Sequence, residues 1–420
     1  MASFFIPLTG LESDSTALNT IANDLANMNT TGFKSQSSNF ADLFYQQIGQ
    51  AGSGDLIQLG SGVQVNSISS NFAAGAQNTT GVATDVALDG GGLFILKNGG
   101  GYEYTRDGNF TLAANGNLTT QSGLEVMGYP VTNGVVNTSS PLSPINIPVG
   151  QVEAPNATST FTMTTNLNAT STTGTSFPGQ ITLYDSLGEP QVATVTYTQT
   201  GTNTWNYSIA LPASAFTSGV STPVTGTLTF DSSGNLSQVN GTAVGTGTGQ
   251  VSSIPVGFTG LADGAANLSM NWNLLSTSGT PTITQVDAAS AVSATNQNGY
   301  TSGAYQSFTI GTDGTVDVTY SNGQSQAVGK IALANVVNMQ GLELLGDGDY
   351  ATTLASGSAS PGVSGSAGLG AMTDGALEQS NVNLSAEFSD LIIAQQGYDA
   401  NSKAITTFDT ITQDTINMVR

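Results

Sequence analysis

Carboxylates are nearly all the catalytic chemistry this chain can offer. Its 420 residues hold 28 Asp and Glu against 6 Lys and Arg, with no cysteine and no histidine. That removes disulfides, thiolate and imidazole metal ligands, Cys–His and Ser–His–Asp nucleophile systems and the commonest general base near neutral pH. Paired carboxylates can hydrolyse glycosides. Many of them here, however, stand in turn sequences: Asp107-Gly108, Asp313-Gly314, Asp347-Gly348 and Asp231-Ser232-Ser233-Gly234, where the side chain folds back on its own backbone. Asp347-Gly348-Asp349 opens like a calcium loop but lacks the third acidic position and the closing glutamate. Gly90-Gly91-Gly92, Gly99-Gly100-Gly101 and Gly245-Thr246-Gly247 neither match a dinucleotide fingerprint nor lead into Gly-Lys-Ser/Thr. The expectation is no catalytic residue, no cofactor and no metal site, hence no enzyme.

Charge narrows the partners. The formal net charge is −22, only 8% of residues are charged, and the six basic ones, Lys34, Lys97, Arg106, Lys330, Lys403 and Arg420, are scattered. Such a chain repels phosphate backbones and anionic lipid, so nucleic acid is not an expected partner. No apolar run reaches the roughly 18 to 20 residues of a membrane span, so membrane insertion is not expected either. The N-terminal sequence has no basic residue before Lys34, and Pro7 interrupts its apolar cluster, which does not fit a cleaved secretory signal. The acidic, cysteine-free, Thr/Ser/Asn/Gly-rich composition nevertheless suits a protein outside the cell.

The elements explain what the composition is for. Leu11, Leu18 and Leu25 recur at one heptad position, with Ile21 and Met28 at the other. Near the other end Leu384, Leu391, Tyr398 and Ile405 recur likewise, with Ala394 and Phe408 at the companion position and Asn401 as a polar exception. Narrow stripes of this kind are coiled-coil seams that need helical partners. Between them the period falls to two, as in Trp205, Tyr207, Ile209 and Leu211, or Ala193, Val195 and Tyr197, or Val316, Val318 and Tyr320, with Gly- and Asn-rich reversals. The pattern predicts a mainly β protein: two antiparallel β-domains, one inserted in the other, flanked by coiled-coil-type helices. The expected segments are an axial helix over 1–30, a connector over 31–70, a discontinuous β-domain over 71–145 plus 287–365, an inserted outer β-domain over 146–286, a return linker over 366–383 and a second axial helix over 384–420.

Three motifs resemble one family. Asn23-Asp24-Leu25-Ala26-Asn27-Met28-Asn29-Thr30-Thr31-Gly32-Phe33-Lys34 is similar to the N-terminal motif of the axial proteins of the bacterial flagellar rod and hook. Tyr104-Thr105-Arg106-Asp107-Gly108-Asn109-Phe110 resembles their strand-turn motif, and Ser380-Asn381-Val382-Asn383-Leu384 through Lys403 their C-terminal one. The long β-block containing Leu183-Tyr184-Asp185-Ser186-Leu187-Gly188 is similar to the hook branch. Gln396 departs from the pattern, standing where members often carry arginine.

The resemblance implies a structural subunit that self-assembles into an open helical tube, a flexible curved hook that transmits torque from rod to filament outside the cell. It implies partners in the rod, the hook cap, the hook–filament junction proteins and the flagellar export apparatus. The expected assembly residues are Leu11, Leu18, Ile21, Leu25, Met28, Leu384, Leu391, Tyr398, Ile405 and Phe408. The competing readings are a secreted glycan-binding adhesin and a distal rod-type axial protein; a carboxylate-based hydrolase comes last.

Overall fold

The computed structural model describes residues 4–50, 52, 56–132 and 134–418; the expected outer ends of the axial helices, at 1–3 and 419–420, lie outside the described residues. The chain divides into two compact units. One comprises Met1–Val149, Ser307–Thr319 and Ser325–Arg420, the other Gly150–Gln306 and Tyr320–Gln324.

In the second unit the period-two alternation sets the faces of the strands. Ala193, Val195 and Tyr197 on Pro190–Gly201, and Trp205, Tyr207 and Ile209 on Thr204–Ala210, are all buried. Six strands, from Ser176–Tyr184 to Thr242–Ala243, form one antiparallel meander. A second sheet contains Ser253–Phe258, Leu268–Asn273, Thr160–Asn168, Ile283–Val286 and Ala291–Gln297. A single apolar cluster draws Met163 and Trp272 from this sheet and Leu183, Tyr197 and Trp205 from the meander, so the unit is a sandwich. Trp272 centres it, stacked on Phe161 and met edge-on by Tyr207 at 5.7 Å.

Two expectations need correction here. The unit is not purely antiparallel, because Thr160–Asn168 pairs in parallel with Leu268–Asn273 and with Ile283–Val286. Parallel pairing needs a long crossover; the six-stranded meander supplies it, so no βαβ spacing marks it in the sequence. The boundary at 286 is also too early. Ala291–Gln297 pairs with Thr160–Asn168, which carries the unit to Gln306, and its start falls at Gly150 rather than 146.

The β-structure of the first unit follows an antiparallel path through Ser325–Ile331, Glu125–Thr132, Leu93–Asn98, Gly101–Thr105, Asp349–Ala351 and Glu343–Gly346. Leu93, Ile95, Tyr104, Met127 and Tyr350 share one core cluster. The expected connector at 31–70 contains two antiparallel pairs: Gln36–Asp42 lies against Val63–Ser70, and Tyr45–Gln50 against Leu56–Gly60. The expected return linker is also built of strands, Ala371–Asp374 pairing with Val86–Asp89 and Ala376–Glu378 with Gln77–Thr79. The outgoing chain thus runs back along the incoming one. Gly and Ser around 355–375 hide strands this short, whose burial rests on single side chains such as Met372 and Ala376.

Two helices flank this body: α1, Phe5–Ala26, and α2, Leu384–Met418, about 33 and 52 Å long at 1.5 Å per residue. Helix α1 stops two residues before Met28, so Met28 is not on the helical stripe. The chain reverses at Gly32, whose φ of +67° suits glycine. Helix α2 starts on Asn383, whose side chain accepts from the amides of Ser385 and Ala386 at 3.1 and 3.3 Å, a standard N-cap.

Candidate assembly interface

The two helices pack on each other within one chain, antiparallel. Phe4 lies against Phe408 with ring centroids 6.1 Å apart, Gly10 faces Asn401, Asp14 faces Gly397, and the charge of Asp24 is felt by Glu387. Position therefore falls along α2 as it rises along α1. Asn401 donates its Nδ2 to Asp14 Oδ2 at 2.8 Å. The two glycines let this polar pair sit in the seam: a Cβ on Gly10 would come within 2.6 Å of Asn401 Nδ2, and one on Gly397 within 3.0 Å of the Asp14 carboxylate. A polar contact inside an otherwise apolar seam fixes register, since any slip leaves it unpaired.

Helix α1 buries its polar side against its own chain. Thr9, Ser13, Thr20 and Asp24 are buried, whereas Leu11, Leu18 and Leu25 are half-buried. Thr9 Oγ1 accepts from Val63 N, Thr20 Oγ1 bonds Ser38 Oγ at 2.9 Å, and Asp24 Oδ2 accepts from Gln36 N at 2.7 Å. Two strand amides, Val63 N and Gln36 N, are thereby satisfied by helix side chains, while the leucine stripe is only partly covered.

Of the other expected assembly residues, Ile21 is buried, Leu391, Ile405 and Phe408 are half-buried, and Met28, Leu384 and Tyr398 are exposed. Ala394 is buried in the helix pair. The sequence reading missed Phe388, Ile392 and Ile393, which are 49%, 53% and 66% exposed. Leu384, Phe388 and Ile392 follow one another at steps of four along α2, a spacing that marks one helical face, and Ile393 stands about 100° round the helix from Ile392. It also missed the exposed apolar residues of the hairpin, Tyr45, Leu56, Ile57 and Leu59.

Residues far apart in sequence meet beneath the helices. Glu378 receives Lys34 Nζ on Oε1 at 2.6 Å and Arg106 Nη2 on Oε2 at 2.9 Å, all three side chains being buried. The arginine approach lies off the hydrogen-bond axis, so that half of the triad is chiefly Coulombic. Arg106 Nη1 donates to the carbonyls of Gly90 and Gly92, Lys34 Nζ to that of Ala73, and Gly75 N to Glu378 Oε1. Burial pushes both the Lys34 and Arg106 pKa values down, and Glu378 opposes that shift in each.

The residues from Arg106 to Phe110 of the strand-turn motif build this joint. Arg106 makes the pair, Asp107 Oδ1 accepts from Asn109 N, Gly108 leaves no room for a Cβ beside the Val86 carbonyl, and Phe110 meets Phe94 edge-on at 5.1 Å. Gly32 abuts the Arg106 carbonyl and donates its N–H to Glu378 O at 2.8 Å. Asn381 then ties the outgoing chain, accepting from Ser35 N and donating to the carbonyls of Asn71 and Ala73.

A cleft of about 710 Å³ beside this joint is lined by Asn23, Asn27, Asp107, Asp347, Asp349 and Tyr350, among others. Its lining also includes Lys34, Thr105, Thr120 and Ser122, and among the described residues no three Asp or Glu converge as metal ligands do. No described helix is long and apolar enough to cross a membrane.

Comparison with known proteins agrees with this anatomy. Residues 8–34 match the family model described as flagella basal body rod protein, 87–174 the flagellar hook protein FlgE/F/G D1 domain, 156–300 the flagellar basal body protein FlaE D2 domain, and 373–418 the flagellar basal body rod FlgEFG protein C-terminal. The chain is 35% identical to flagellar hook protein FlgE of Salmonella typhimurium, over 99% of this chain and 100% of that one. It is 34% identical to that of Escherichia coli K12, over 99% and 100%, and 32% identical to that of Borreliella burgdorferi, over 100% and 99%. The crystal structure of Helicobacter pylori flagellar hook protein FlgE2 shares the fold, with a TM-score of 0.54, 14% identity and coverage of 72% of this chain and 100% of that one. These matches define an axial protein of the bacterial flagellum. The chain belongs to the flagellar hook protein FlgE family, whose members are structural proteins and not enzymes.

Proposed function

We propose that copies of this chain assemble into the open, curved tube of the extracellular flagellar hook, with the α1–α2 pair as its inner layer. The observation that carries the reading is the apolar surface that the helix pair leaves uncovered within the subunit: Leu384, Phe388, Ile392 and Ile393 on α2 and the half-buried Leu11, Leu18 and Leu25 on α1. Copies meeting head to tail without closure cover such stripes and generate a helical polymer. Thr-, Ser- and Asn-rich surfaces of the second unit allow neighbours to slide as the tube bends. Partners at the ends of the tube are the rod, the hook cap and the hook–filament junction proteins, reached through the flagellar export apparatus.

The test is electron microscopy under polymerising conditions. The unsubstituted chain should give curved tubes, and Ile392→Asp should give folded monomers, because a carboxylate is costly only where the stripe becomes buried. Dispersed monomers of the unsubstituted chain, or normal tubes from Ile392→Asp, would overturn the assignment of this stripe.

A further inference from the structure

Two apolar side chains of the first unit stand wholly in solvent. Val337 is 94% exposed and Leu354 105%, more than any other large apolar residue among the described ones. Neither sits on a loose loop. Asn338 donates its N–H to Ser356 O at 3.2 Å and its Nδ2 to Ala355 O at 3.0 Å, which stitches the two segments together next to both side chains. Thr353 Oγ1 donates to Gly341 O at 2.6 Å, Ser356 Oγ accepts from Thr353 N at 2.8 Å, and Gly341 packs so closely on Ala355 and Ser356 that no Cβ fits there. Val336, beside Val337, belongs to the core of the unit. A lone exposed valine needs no explanation. Two fully exposed apolar side chains held by a hydrogen-bonded clasp have already met the entropic cost of ordering, as a contact surface requires.

We propose that Val337 and Leu354 form a docking knob for a second copy of this chain. Charge selects that occupant. The chain carries a net charge of −22, yet residues 331–342 and 351–373 contain no Asp, Glu, Lys or Arg. A surface serving a cationic partner would keep its carboxylates, whereas a surface that meets another strongly acidic copy must be free of them, since like charges brought together in a drying contact repel. Two side chains fall far short of the roughly 800 Å² per partner of a stable complex. The knob is therefore one contact within a polymer rather than the basis of a dimer in solution, and it rests on the reading of the chain as a hook subunit.

The absence of cysteine supplies the experiment. Val337→Cys and Leu354→Cys each place a single thiol in the full chain, and maleimide labelling is followed in monomers and in assembled tubes. In tubes both thiols should react at least about tenfold more slowly, because access limits the reaction. Tubes whose two thiols react at the monomer rate would overturn the knob and leave the hook reading standing. Failure of the unsubstituted chain to form tubes would overturn the hook reading and the knob with it.

Discussion

Replacing Glu378 by alanine removes the anion that two buried cations share. Glu378 is 1% exposed, and Lys34 and Arg106 are 2% and 3%. Deleting one member of a buried pair costs about 3–5 kcal/mol, because the remaining charge keeps its desolvation penalty without its partner. Here the amide of Gly75 also loses its acceptor, which adds about 1 kcal/mol or more. Lys34 can escape part of the cost by deprotonating, since burial already pushes its pKa down, while Arg106 stays charged. The expected loss is about 4 kcal/mol, a large share of a typical domain stability of roughly 5–15 kcal/mol. Urea unfolding of the monomer, followed by circular dichroism, measures it as a lowered midpoint at unchanged slope. A double-mutant cycle separates charge from packing. Lys34→Met, destabilising alone, should cost at least about 1 kcal/mol less in the Glu378→Ala background, where it removes an orphaned cation. Additive effects, or a Glu378→Ala loss under about 1 kcal/mol, would refute the electrostatic account of the joint.

Two further outcomes follow from single sites. Burial pushes the Asp349 carboxyl up to about 6, against the lowering effect of the nearby Thr105 hydroxyl and with added repulsion from Glu103, Asp347 and Asp107. Since this folded value lies above the unfolded one of about 3.9, the penalty is absent below about pH 4 and grows as the pH rises through 6. Asp349→Asn should leave the urea midpoint unchanged near pH 4 and raise stability by about 2 kcal/mol near pH 7.5, and an equal effect at both pH values would contradict that. Gly10→Leu should lower the stability of the helix pair by about 1–3 kcal/mol through overpacking against Asn401; adding Asn401→Ala should recover much of it, as read from the helical signal on heating, and no recovery would show that the obstacle lies elsewhere.

Strand faces were legible because period two leaves little choice: Trp205, Tyr207 and Ile209 must share a side, and that side is the core. Asn401 was legible as the one polar interruption of its stripe, and it is the residue that bonds across to Asp14. The joint at Glu378 was not. Its partner Lys34 is 344 positions away, and its own strand of three residues lies in sequence that reads as a linker. The covered side of α1 was missed for a different reason. Heptad reasoning ranks leucine above threonine, but strand edges beside a helix need hydrogen-bond partners more than they need methyl groups. Thr9 and Asp24 supply them to the amides of Val63 and Gln36, and Thr20 meets the Ser38 hydroxyl. Parallel pairing of Thr160–Asn168 escaped notice because a sheet, instead of a helix, makes its crossover.

The reversal on α1 bears on how one sequence can be both a stable subunit and a polymer-forming one. Were the leucine stripe turned onto the strands, the monomer would be satisfied and would have nothing left to associate with. Hydroxyls and a carboxylate in that position hold the helix through directional bonds, each worth about 1 kcal/mol net. In the proposed assembly the larger hydrophobic gain, about 25 cal/mol per Å² of apolar surface covered, stays in reserve for contact with neighbours. The joint at Glu378 complements this division of labour. It ties Lys34 before the first body strand to the last strand before α2, so the helix pair leaves the β-structure from one fastened point. In a tube that bends under torque, flexing then falls on contacts between subunits, which can be remade, and not on the attachment of the helices to their own body.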